Sequence, residues 1–269
     1  MELKWNKRNT AVISFLKIVQ WPLIKFLFRL KVVGTENIDP VKDDSCLYVS
    51  NHNVGALIES HSSLFVIQEK LGEHSIVYGF THPSIFKIPL MKQYFEWIGA
   101  VAATYPVAEE VFKNKNSLMI FPGGNAQALR SVWNYKNNSF RSVHGWAKIA
   151  MKYNVPVVPI TFKGSHFTNP ILFSTEWFSK LLILPWLLGI RVMPFSLAQV
   201  LVGALAYFIS SKLSLPIWTC YLLSYLAFVL SPLTILFPVN VSMVIHPAIK
   251  ANSQEELENK VDSIMSKIY

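Results

Sequence analysis

Between Arg191 and Lys212 lie twenty residues without a formal charge, and from Leu213 to Ile249 only His246 can carry one. Charge-free runs of this length are candidates for burial in a membrane. Prolines divide the run into short pieces. Phe195 to Ser211 is seventeen residues, about 26 Å of helix at 1.5 Å per residue, and fifteen residues separate Pro216 from Pro232. Two true spans and a shallow re-entrant hairpin both fit, and a buried helical hairpin of a soluble protein is the plainer alternative. Trp186, Tyr207, Trp218, Tyr221 and Tyr225 have the character of interfacial anchors. Both arms return to one side in either case. Residues 171–237 therefore read as a hydrophobic, membrane-associated helical insertion within a domain that resumes after it.

The composition agrees with a lipid environment. Hydrophobic residues make up 52% and charged residues 15% of the 269, against about 25% charged in ordinary soluble domains. The net charge of +9 suits anionic headgroups or a phosphorylated co-substrate. Nucleic acid is not expected as a partner, because the apolar excess comes with no basic helix and no zinc-type spacing. Cys46 and Cys220 make neither a disulfide framework nor a metal-ligand pattern, and no metal is expected.

Residues 1–30 predict a helix at the membrane interface. At 100° per residue, Thr10, Ser14, Lys17, Lys25 and Arg29 fall within an arc of about 120°. Ile13, Leu16, Ile18, Val19, Trp21, Leu23, Ile24 and Leu27 fill the remainder. Such a helix lies in the headgroup plane with its lysines toward water; the alternative is a helix packed on the protein's own core. Pro22 predicts a kink. The lysines within the apolar stretch, with no small-residue cleavage site after it, argue against a signal peptide.

Beyond this helix the pattern alternates. Cys46–Ser50, Ser75–Phe80, Ser117–Phe121 and Pro156–Phe162 read as strands, with helices over Leu57–Leu71, Val107–Lys113 and Val143–Tyr153 between them. Alternation of this kind predicts an α/β fold with a mixed, largely parallel sheet flanked by helices. Residues 31–170 form its core, and residues 238–269 return a closing strand, Val239–Ile245, and a last helix. Ser253 with Glu256 predicts a capping box, and Leu257, Val261, Ile264 and Ile268 line one face of that helix.

Ligand sites in such sheets gather at the carboxyl ends of strands. Asn51-His52 and Pro122-Gly123-Gly124 both follow strands directly. A histidine with a nearby carboxylate suits general-base catalysis, since the carboxylate fixes the tautomer and stabilises the imidazolium. Glu59 stands seven residues after His52. The two meet only if the chain turns between them and Glu59 lies early in the next helix; Gly55 makes that turn cheap. A surface histidine beside an unrelated helical glutamate is equally compatible with the spacing. The glycine pair lets backbone amides approach an anion or oxyanion, although a lone Gly-Gly is usually a tight turn.

Taken together, four stretches resemble the glycerolipid acyltransferase superfamily, in the branch similar to diacylglycerol acyltransferases and their transmembrane-protein relatives. They are Asn51-His52 through Glu59, Ile98-Gly99-Ala100-Val101, Phe121-Pro122-Gly123-Gly124 and Val155-Pro156-Val157-Val158-Pro159-Ile160, with Gly145-Trp146-Ala147-Lys148 before the last. Half the chain or more is covered. The resemblance implies a membrane O-acyltransferase, with acyl-CoA or acyl carrier protein as co-substrate and no further cofactor. It implies membrane lipids as partners and an active site on the cytoplasmic face. It assigns His52 as the base and Glu59 as its orienting acid, with Gly123, Gly124, Asn125 and Arg130 toward the substrates. Departures from the family pattern carry information. Ala102, Ala103 and Thr104 stand where phosphate-monoester enzymes have an arginine, which favours a neutral or zwitterionic acceptor. Gln127 stands where this branch often has Glu. A catalytically silent, lipid-binding or regulatory relative is the competing reading. A hydrolase is disfavoured, because the chain has no Gly-x-Ser-x-Gly elbow.

Among the other polar residues, His61 is two positions past Glu59, a poor offset for a helical metal pair. His82, His144 and His166 read as loop or surface residues, the last two open to substrate. Lys136, Arg141, Lys148 and Lys152 suit either a co-substrate phosphate or a solvated basic face.

Overall fold

The computed structural model describes residues 7–72, 75–87, 89–140, 143–232 and 234–269. Arg141 therefore lies outside the described residues. The strands are β1 (Lys31–Val33), β2 (Leu47–Ser50), β3 (Val77–Thr81), β4 (Ala100–Ala102), β5 (Ser117–Ile120), β6 (Val157–Lys163), β7 (Ile171–Thr175), β8 (Met193–Ser196) and β9 (Ser242–Ile245). The helices are α1 (Thr10–Leu27), α2 (Ala56–Leu71), α3 (Pro89–Trp97), α4 (Tyr105–Lys113), α5 (Gly124–Ala128), α6 (Gly145–Tyr153), α7 (Glu176–Leu181), α8 (Leu184–Leu187), α9 (Leu197–Lys212), α10 (Ile217–Leu230) and α11 (Gln254–Met265).

Among the described residues, seven strands form one sheet in the order β1-β9-β6-β2-β5-β3-β4. Every neighbouring pair is parallel except β6 with β9. This is the mixed, largely parallel sheet that the alternation predicts. Strands covered on both faces read as continuous apolar runs, and β2 is buried at all four positions. The pleat sorts their side chains. Tyr48, Met119, Val158 and Ile160 face α1 and α2, while Leu47, Val49, Leu118 and Val157 face α4, α6 and α11.

The connections place the site. From β2 the chain crosses through α2 on one face to β3, and from β5 it crosses through α6 on the other face to β6. Adjacent β2 and β5 thus exit to opposite faces, which opens a crevice at their carboxyl ends.

Helix α1 has two apolar faces rather than one. Trp21, Ile24 and Phe28 are buried, with Ile13 and Leu16 packed beside them, and Trp21 meets Phe65 of α2 at 5.5 Å. Phe15, Ile18, Val19, Leu23 and Phe26 on the other side are at least half exposed. Core packing and an outward apolar surface are therefore not alternatives here; the helix has both. It continues as one helical element through Pro22, which is exposed. Among the described residues α1 alone is long and apolar enough to cross a membrane, with mean hydropathy 1.4.

Residues 171–196 differ from the all-helical reading of the insertion. They form an antiparallel pair, β7 with β8, and carry α7 and α8 between the strands. The helical hairpin proper is α9 with α10. At 16 and 14 residues, the arms are about 24 and 21 Å long. Gly203 lets them close: a Cβ there would stand 3.3 Å from Phe228 and from the Ser224 carbonyl. Helix α11 begins as predicted with Ser253 accepting from the Glu256 amide at 3.2 Å. The reciprocal bond is displaced by one residue, since Glu256 accepts from the Asn252 amide at 3.0 Å.

Candidate active site

Three neighbouring parallel strands, β5, β2 and β6, end side by side, and the residues that follow them meet. Asn51 ties two of these ends together. Its Oδ1 accepts from the Phe162 amide at 2.7 Å, and its Nδ2 donates to the Phe162 carbonyl at 2.9 Å. His52 comes next. Residues 53–55 turn the chain back, and Glu59 stands in the first turn of α2. There the helix dipole favours a negative charge. His52 Nδ1 consequently lies 3.0 Å from Glu59 Oε2. That bond leaves Nε2 with no partner among the described residues, on a side chain that is 18% exposed.

Glu59 itself has no exposed surface. An isolated buried carboxylate would cost several kcal/mol, so its partners decide whether the site is stable. Oε2 accepts from His52 and, at 3.0 Å, from the Asn53 amide. Oε1 accepts from Asn53 Nδ2 and, at 2.6 Å, from the Ser165 hydroxyl. Four donors thus share one carboxylate. Asn53 is held in turn by Arg130, whose Nη2 donates to Asn53 Oδ1, and this fixes the amide orientation.

The glycine motif acts through space as much as through conformation. A Cβ on Gly123 would meet the Gln127 side chain at 2.4 Å. Its absence lets Gln127 fold back and accept the His52 amide proton at 2.7 Å. Gly124 has φ +46, in the left-handed region. Gly123 and Gly124 are half-buried, and Asn125 is exposed at the opening of α5. Gly55 has an ordinary φ of −72. Its value to the turn is close approach, since a Cβ there would stand 3.0 Å from Ser165.

Arg130 is not open to a substrate phosphate in this structure. Nη1 donates to the His52 and Gln127 carbonyls at 2.7 and 2.6 Å, and Nη2 also reaches the Tyr135 carbonyl and Asn138 Oδ1 at 3.1 and 2.8 Å. Burial lowers its pKa, and the Glu59 charge opposes that shift. Its guanidinium binds the loops that carry His52 and Asn53.

His166 corrects the expectation of a surface histidine. It is fully buried, and among the described residues neither ring nitrogen reaches hydrogen-bonding geometry with a partner. Burial, then the positive Arg130, drive its pKa down to about 4 against smaller opposing effects of the Ser131 backbone and Glu59. His61 is also buried, and burial lowers its pKa; it lies 2.7 Å from the Leu57 carbonyl and 2.7 Å from the Tyr94 hydroxyl. His144 pairs with Glu258 at 2.8 Å. Lys136 lies over the Tyr135 ring and Lys152 pairs with Glu109. Lys148 is exposed on α6.

Ile98-Gly99-Ala100-Val101 runs into the edge strand β4, which β5 and β3 separate from β2. No three His, Cys, Asp or Glu side chains converge as a metal ion would require, among the described residues. Asn53, Gln127, Asn138 and Ser165 complete the site but were not singled out as site residues by sequence. The available signal was positional for Asn53, Gln127 and Ser165, which follow β2, β5 and β6 at the carboxyl end, whereas Asn138 lies well beyond β5, after α5, and had none.

Neither the protein-family models nor the curated proteins compared with the chain match it. Among solved structures it is similar to the crystal structure of the 1-acyl-sn-glycerophosphate (LPA) acyltransferase, PlsC, from Thermotoga maritima. The TM-score is 0.51 at 18% identity, over 95% of this chain and 77% of that one. At that identity the likeness is one of fold: the chain has the α/β fold that PlsC has.

Proposed function

We propose that this protein is a membrane-associated acyltransferase that moves a fatty acyl chain from acyl-CoA or acyl carrier protein to a lipid hydroxyl. The observation that carries the reading is His52, held through Nδ1 by a buried carboxylate with Nε2 unpartnered beside the glycine turn. Nε2 takes the proton of the acceptor hydroxyl as its oxygen attacks the thioester carbonyl. The C–O bond forms, the C–S bond breaks, and His52 returns the proton to the departing thiolate. Glu59 stabilises the transient imidazolium. Gly123, Gly124 and Asn125 line the substrate side, while Arg130 serves the site by donating to the carbonyl of His52 and to Oδ1 of Asn53.

Membrane attachment is supported by the exposed apolar face of α1 and by the hairpin. Arms of about 21–24 Å fall short of a hydrocarbon core of about 30 Å, which favours a hairpin entering one leaflet. Helix α1 is docked on the core through Trp21 and Ile24, with Trp21 against Phe65 of α2, which favours a helix lying flat with its outer face in lipid. The family resemblance further implies an active site on the cytoplasmic face. Ala102, Ala103 and Thr104 favour an acceptor without a phosphate monoester.

The test supplies purified, detergent-solubilised protein with labelled acyl-CoA or acyl carrier protein and a panel of diacylglycerol, lysophospholipids and long-chain alcohols. A labelled ester is expected with a neutral or zwitterionic acceptor. No transfer from either donor to any acceptor by folded protein would overturn the reading in favour of a silent lipid-binding relative.

A further inference from the structure

We infer that Ser165 is a positioning residue for the His52–Glu59 pair, acting on the imidazole through the carboxylate. Ser165 has no exposed surface, so its hydroxyl cannot be satisfied by bulk water. It donates to Glu59 Oε1 at 2.6 Å and accepts from Asn53 Nδ2 at 2.9 Å. The Glu59 oxygen it binds is the one that does not contact His52. A donor at Oε1 draws charge away from Oε2 and pins the carboxylate plane, so Ser165 sets both the angle and the strength of the bond to Nδ1.

The hydroxyl is placed by backbone that has little freedom. Gly164 before it has φ +95, and a Cβ there would collide with the Asn240 carbonyl at 2.1 Å. The Gly164 amide donates to the Tyr269 hydroxyl at 2.9 Å. Gly55 packs against Ser165 from the other side. The far end of the same turn is tied to the hairpin: Thr168 accepts from the Leu236 and Phe237 amides, and Asn169 bridges the Ala198 amide and the Pro232 carbonyl. One short turn therefore fastens the reacting pair at its first residue and both ends of the α9–α10 hairpin at its last.

The proposal rests on the acyltransferase reading only for its kinetic arm. The direct readout is the far-downfield proton NMR signal of His52 Nδ1–H in the full-length, detergent-solubilised protein, assigned by its loss in His52→Ala. In Ser165→Ala this signal is expected to move further downfield, because Oε2 becomes the stronger acceptor, while kcat falls about tenfold and KM stays within about twofold. Ser165→Cys keeps the side-chain shape with a weak S–H donor and is expected to fall between the two. A serine that merely supports the fold would lower Tm without moving the signal. An unmoved signal in both variants, or kcat within twofold of the wild type in Ser165→Ala, overturns the proposal. If the wild-type protein transfers no acyl group, the proposed function fails while the proton signal still decides the role of Ser165.

Discussion

The carboxyl edge of the sheet and the α9–α10 hairpin invert the usual distribution of side chains in opposite senses. At the sheet edge Glu59, Asn51 and Asn53 have no exposed surface. On the hairpin Phe208 is 59% and Trp218 67% exposed. Ordinary domains bury the second kind and expose the first. Each inversion needs its own compensation. Glu59 and Arg130 have most of it within the molecule, since four donors meet the carboxylate and five acceptors meet the guanidinium, while Arg130 Nε, Gln127 Nε2 and both His166 ring nitrogens have no partner among the described residues. The hairpin lacks it among the described residues. Its arms pack on one another, and each large apolar side chain left in water forgoes about 1.5–3 kcal/mol of burial. The site is thus closed by its own side chains, whereas the hairpin leaves a large apolar surface uncovered.

Four substitutions or conditions separate these two regions. The largest effect is expected from His52→Ala, which should lower acyl transfer about 10²–10⁴-fold in a labelled-donor assay. Its sedimentation with membranes should not change; an active variant would sink the proposed base. Next, Glu59→Ala should destabilise the fold by about 3–5 kcal/mol in denaturant titration, because it leaves the buried Arg130 uncompensated and four donors unpaired. A loss below 1 kcal/mol would mean that the edge is far wetter than its geometry implies.

Leu205 and Leu222 are 57% and 48% exposed on the hairpin. If they face lipid, changing either to Arg should cost up to about 2.5–3.5 kcal/mol of membrane partitioning, measured by flotation with vesicles. If they face water, the change should lie within about 0.5 kcal/mol.

The smallest effect concerns pH. His166 has a folded pKa of about 4 against about 6.5 unfolded. The unfolded chain therefore binds more protons between those values, so stability is present above about 6.5 and is lost as pH falls toward 4. Between pH 7 and pH 5 the loss should be about 2 kcal/mol. Tm measured across that range should show it, and His166→Phe should flatten the slope.

Strands β2, β5 and β6 were legible because burial on both faces makes each a continuous apolar run. Edge strands β1 and β4 were not, because three residues carry no period. The pair β7–β8 was hidden inside a stretch whose low charge suggested helix throughout. In α1 the exposed apolar face and the core-facing one share a single hydrophobic sequence, so periodicity could not tell the one from the other. At the site, the turn that joins His52 to Glu59 is local and could be posed as a condition from seven residues of sequence. Ser165 reaches Glu59 across 106 positions and Gln127 reaches His52 across 75. No local pattern carries such contacts.

What the sequence determined by itself was the α/β alternation, the long charge-free runs after Arg191 and a histidine placed after a strand with an acid within reach. These depend on periods and composition that a chain expresses before it folds. The tertiary structure decided which donors saturate Glu59, why Gly55 and Gly123 must lack a side chain, and that Arg130 is spent on the loops around it. Those outcomes follow from strand order and from parallel ends brought together, and they exist only once distant segments share one sheet.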